Sequence, residues 1–200
     1  MNILAWCCSF FVIVFPLAAQ EPARIVTRQD GVVNRHEVAG QLAATQPVGC
    51  IALSLATNKL TPPDLYHGVR ECIARDNYDA AVGLFALAGI YSSFDTERVT
   101  DQTAHQGATV LILNTFAEIP LDKKQTFQAA VRQLQESPAV RNRLCAAIKK
   151  IGMPDYYPNY MILHGTKAFT GDPHAEALVS SFDGPKVWTA LQSSYLKCAG

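Results

Sequence analysis

The stretch "DQTAHQG", residues 101 to 107, sets Asp101 and His105 four positions apart, on one face if the segment is helical. A carboxylate that orients an imidazole is a general-base arrangement, and the same two side chains could supply two metal ligands. The plainer reading is a hydrogen bond on a helix surface or in the core. His164 and His174 stand ten apart, each beside a glycine or proline turn and without a fixed acidic partner. Serines pair at 92–93, 180–181 and 193–194, but none lies in a Gly-x-Ser-x-Gly elbow. A phosphate-cradling glycine loop and a dinucleotide fingerprint are both missing from the sequence. The expectation is a non-enzymatic chain that takes no cofactor and no metal. The alternative is a hydrolase or metal-dependent enzyme using Asp101 and His105.

A different chemistry is offered by "MPDYYPNYM", residues 153 to 161, where Tyr156, Tyr157 and Tyr160 stand between prolines. Tyrosines in a stiff loop give large amphipathic contact area at low entropic cost, which is what interface hot spots use. These three are the candidate partner-binding residues. The competing reading has the rings covering the core while their hydroxyls reach water.

Of the six cysteines, Cys7 and Cys8 fall in an uncharged apolar run, "ILAWCCSFFVIVFPLAA", that gives way abruptly to the polar "QEPAR". The run predicts a cleaved secretory signal over 1–19, with Ala19 as the last residue removed. If uncleaved, it is long enough to anchor the chain in a membrane. The remaining cysteines are Cys50, Cys72, Cys145 and Cys198. An even number in an exported chain predicts two disulfides, and four cysteines allow three pairings. No CxxC pair and no finger-like Cys/His spacing points to zinc.

Residues 20–60 read as an irregular lead-in, broken by Gly31, Gly40, Pro47 and Gly49. The helical domain is expected over 61–200. "TPPD" at 61–64 is a helix start: Thr61 can cap, Pro62 suits the first turn and Asp64 faces the positive end. Leu65, Val69, Cys72 and Ile73 then share a stripe. Tyr78, Ala81, Val82, Phe85 and Ala88 mark the next helix, after the turn "RDN". Further helices are predicted over about 95–118, in "IPLDKKQTFQAAVRQLQE" (119–136) and over 138–151, with a shorter one over 158–169 and a last one over about 184–197. Gly107 is expected at a close helix crossing, and no stretch alternates as a strand. The fold expected is all-α, one compact domain of six or seven helices. Cys72, Cys145 and Cys198 sit on or at the end of apolar stripes, and Cys50 lies in the lead-in only twenty-two residues before Cys72; the pairing favoured is Cys50 with Cys72 and Cys145 with Cys198.

The pair around "NYDAAVGLFALAGIY" (77–91) resembles a tetratricopeptide or Sel1-type helical hairpin over about 65–90. No second copy follows near a period of thirty-four, so the hairpin is read as one layer of a compact domain. The stretches "DLYHGVREC" and "LFALAGIYSSFDTERVTDQTAHQ" are similar to a group of exported helical proteins of proteobacteria. That resemblance implies a periplasmic or secreted location and the company of proteins that protect a cell from secreted toxins. It carries no site residue with it.

Charge completes the picture. Seventeen basic side chains balance seventeen acidic ones, so no overall field draws nucleic acid. The balance is local as well as global: 64–101 carries a net −4 and 121–151 a net +5. Either pole suits docking of a complementary protein. The function expected is binding of one protein partner, as an immunity protein that inhibits a secreted toxin or envelope enzyme. The alternative within the same class is an envelope scaffold or assembly factor.

Overall fold

The computed structural model describes residues 24–30 and 33–198, so the predicted signal at 1–19 lies outside the described residues. The fold is mainly helical, with eight α-helices among the described residues. α1 (Pro62–Ala74) and α2 (Tyr78–Arg98) form an antiparallel hairpin at the centre. α1 starts where the sequence says it should. Asp64 accepts from Thr61 N (2.9 Å) and the Thr61 hydroxyl (2.6 Å), and it also accepts from Gln46 N at 2.7 Å. One buried carboxylate thus caps the helix and fastens the lead-in to it. Leu65, Val69, Cys72 and Ile73 are all buried, as their stripe predicts.

α2 is buried on almost every side, which explains its small residues. A Cβ on Gly68 of α1 would lie 2.9 Å from side-chain carbons of both Leu84 and Val48, and one on Gly89 would fall on the Tyr195 hydroxyl. Small residues let the hairpin close and let the C-terminus cross α2.

Around this hairpin pack α3 (Gln106–Ala117), against α1, and α4 (Leu121–Glu136), against α2. α5 (Pro138–Ile151) folds back on α4, and Ser137 caps it through the Val140 N–H. α8 (Gly184–Ser194) returns to α2. Lys123 of α4 donates to the carbonyls of Ile73 and Ala74 and lies 2.9 Å from Asp76, closing the C-terminal end of α1.

The disulfides join Cys50 to Cys72 and Cys145 to Cys198. Their sequence separations of 22 and 53 residues correspond to about 3 and about 4 kcal/mol of chain-closure entropy. Two such bonds are compatible with an oxidising compartment. No helix among the described residues is long and apolar enough to cross a membrane.

Three expectations are corrected. The lead-in is not wholly irregular: β1 (Ile25–Asp30) and β2 (Val33–Val38) pair antiparallel, Ile25 opposite Val38 and Asp30 opposite Val33. Second, the helix expected over 95–118 is broken. α2 runs on to Arg98, Val99 is extended and bridges Leu178, and a 3-10 turn at Gln102–His105 leads into α3. Asp101 causes the break by accepting from the Thr103 N–H, a side-chain bond that competes with helix continuation. Third, the helix expected over 158–169 is two single turns, α6 (Asn159–Ile162) and α7 (Lys167–Thr170). Gly165 sits between them, where a Cβ would collide with the Asp101 carboxylate.

Candidate functional site

Asp101 and His105 do not form a dyad. Asp101 accepts from the Thr103 N–H (3.0 Å) and hydroxyl (2.6 Å) and from the Lys167 N–H (3.2 Å). Partial burial works against its charge, but these donors outweigh burial and hold the carboxyl below its usual range. His105 Nε2 lies 2.9 Å from the Val99 carbonyl oxygen. Each side chain fixes a turn, and no hydrogen bond joins them. His164 and His174 are equally separate, the first 3.1 Å from the Gln41 amide and the second 3.4 Å from the Tyr157 hydroxyl. Gly107 makes its close approach to the His164 ring rather than to another long helix. Among the described residues, no group of three His, Cys, Asp or Glu side chains is placed to hold a metal ion.

The tyrosine loop faces the other way from the one expected. Tyr156 and Tyr160 donate to one oxygen of Asp95, at 3.0 and 2.8 Å. The other oxygen receives Arg98 Nε at 2.8 Å, and Arg98 Nη2 is 2.7 Å away. Asp95 is wholly buried at the end of α2. The Arg98 guanidinium also lies over the Phe94 and Tyr156 rings, 5.3 and 5.2 Å from their centroids. Burial pushes the Asp95 carboxyl up to about 6, against the opposing pull of Arg98 and the two phenols. Burial also holds Tyr156 and Tyr160 well above the usual phenol range, so both stay protonated donors. A buried carboxylate must have its lone pairs met, and these tyrosines meet them. Only Tyr157 of the three stands out on the surface, 47% exposed, with its ring on His174.

An open site lies elsewhere. α2, α3 and α4 frame a groove of about 410 Å3, in the size range of binding clefts. Its floor is aromatic: Phe85, Phe116 and Phe127 meet edge-on or tilted, with centroids 5.3–6.0 Å apart. Ile112 and Val131 complete the walls, and Lys124 and Arg132 of α4 stand at the rim. Unlike Lys123, neither rim cation has an ion pair among the described residues.

α3 supplies the second sign. Its sequence, "QGATVLILNTFA", carries no charge, and only Gly107, Leu111 and Thr115 are buried. Its outer face mixes Gln106, Thr109 and Asn114 with Ile112, 36% exposed, and Leu113, 63% exposed. Adjacent large apolar side chains left in water are a sign of a contact surface.

The sequence reading missed this groove because its residues come from three helices, each with an ordinary core stripe of its own. The one available signal was the uncharged run of α3, with Val110, Leu111, Ile112 and Leu113 consecutive. No family model matches the chain, and neither does any curated protein or solved structure.

Proposed function

We propose that this chain is a non-enzymatic domain that binds one protein partner outside the cytoplasm, and that it does so through the α2–α3–α4 groove. The observation that carries the reading is an aromatic-floored groove beside exposed Ile112 and Leu113, with two rim cations that have no ion pair among the described residues. Apolar centres bounded by charge are the usual anatomy of a protein interface. Of the net +5 over 121–151, α4 contributes three cations against two acids along the groove, and α5, packed on α4, contributes four cations. Two disulfides suit life in an oxidising compartment, and the apolar run at 3–19 suits export. The sharpest form of the reading is an immunity protein that occludes a toxin or envelope enzyme.

The test is capture of partners from an envelope fraction by the tagged chain, beside an Ile112→Ser, Leu113→Ser variant. One stoichiometric partner, held by the parent chain and lost by the variant, supports the reading. A partner retained equally by both, or no partner at all, defeats it.

A further inference from the structure

We propose that the groove receives an acidic amphipathic helix of the partner, an assignment that rests on the protein-binding reading above. The spacing of the rim cations gives the argument. Lys124 and Arg132 are eight residues apart on one straight helix, so their stems are about 12 Å apart along its axis. Phe127 and Val131 lie between them on the groove side. A docked helix running beside α4 presents side chains at positions i and i+7 about 10.5 Å apart on one face. Carboxylates at those two positions reach both cations. Apolar side chains at i+3 and i+4 then meet Phe85, Phe116 and Phe127, in the helix-in-groove mode of recognition.

The same spacing argues against other occupants. A single-chain carboxylate brings one anionic head and leaves the second cation unmatched. A second copy of this chain, docked groove to groove, would bring Lys124 and Arg132 of one molecule against the same cations of the other. Exposed Ile112 and Leu113 on α3 add apolar area, among uncharged polar neighbours, that a fatty acid has no means to cover but a helix and its flanks do.

The probe is a fluorescent, helix-stabilised peptide of about eighteen residues, long enough to hold helical structure. It carries Glu at two positions seven apart and Leu or Phe three and four positions after the first. Binding to the full chain is followed by anisotropy at low and physiological salt. The expected result is saturable binding that weakens at least about ten-fold in a Lys124→Glu, Arg132→Glu variant, an amount equal to roughly one lost ion-pair contribution of 1.4 kcal/mol. A peptide with Lys in place of both Glu residues should recover binding to that variant. Both substituted side chains stand at the rim, and an unchanged melting curve confirms that the variant is folded.

Three results overturn the proposal: no binding to the parent chain, binding indifferent to the charge reversal, or self-association that persists in the reversed variant. Competition by laurate at equal strength on parent and variant would also overturn it, by showing that the floor alone selects the ligand. If the envelope capture still yields a partner that depends on Ile112 and Leu113 while the peptide fails, the helix assignment falls and the protein-binding reading stands. If both fail, both fall.

Discussion

Two aromatic regions of this molecule differ in what has been done with their polar neighbours. At the end of α2, Tyr156 and Tyr160 surround a buried Asp95 that is also held by Arg98. Every charge there has a partner from the same chain, and the ring of Tyr156 is covered by a guanidinium. Elsewhere Phe85, Phe116 and Phe127 line a groove whose cations, Lys124 and Arg132, have no ion pair among the described residues. The first region spends its chemistry on joining distant segments of chain, since Asp95 lies 61 and 65 residues from its two tyrosines. The second leaves its chemistry unspent. A satisfied cluster argues for structure and an unsatisfied one for a partner, even where the aromatic content is similar.

Substitutions should therefore separate the two regions by what they change. The largest effect is expected from Asp95→Ala, which leaves Arg98 buried without its counter-charge and two phenols without an acceptor. A loss of about 3–5 kcal/mol in unfolding free energy is expected from urea titration. A change below 1 kcal/mol, by the order-of-magnitude scale for exposed pairs, would break the comparison. Tyr160→Phe removes one donor to the same carboxylate and should cost about 1.5–3 kcal/mol. Tyr157→Phe, at an exposed ring, should cost almost nothing in the same titration.

The pH dependence has a definite sign. Asp95 titrates near 6 in the folded chain because it is buried, against about 3.9 in an unfolded one. Between those values the folded state holds the extra proton, so this group adds stability as pH falls from 7 towards 4, on the order of 2 kcal/mol. The measurement is the difference between parent and Asp95→Asn across that range. A difference that does not change with pH would mean that Arg98 keeps the carboxyl at its ordinary value.

A small effect on folding is also expected on the outer side of α3, where Ile112→Ser with Leu113→Ser should cost on the order of 1 kcal/mol per site. Capture of the partner should nevertheless be lost. A large loss of stability from that pair would mean that α3 contributes to the fold through its outer face, and the contrast would fail from the other side.

Much of the frame was legible in the sequence because it rests on local rules. The Thr61–Asp64 start of α1, the stripes of α1 and α5, the Ser137 cap and the disulfide partners all follow from spacing within a turn or from which face a residue occupies. The strand pair was readable in principle: Gly31–Val32, a Gly-X dipeptide between the six-residue runs "IVTRQD" and "VNRHEV", is a hairpin signal. Neither run alternates cleanly, so the segment reads as irregular beside the strong helical periods that follow. The inward turn of Tyr156 and Tyr160 was not legible, because its cause is a carboxylate more than sixty residues away on a helix that reads as apolar. Asp101 misled for a related reason. Four-residue spacing to His105 suggests a shared helix face, but the carboxylate spends itself on the turn that prevents the helix.

The two disulfides also make folding answer to the chemistry of the surroundings. Their combined chain-closure term, about 7 kcal/mol, is comparable with the entire stability of an ordinary domain, about 5–15 kcal/mol. With its thiols reduced, the chain loses that contribution and unfolds more readily, and an unfolded chain is what a narrow channel or a protease takes up. Once Cys50 meets Cys72 and Cys145 meets Cys198, that return path closes. The bonds thus act as a latch that records whether the molecule has reached oxidising conditions.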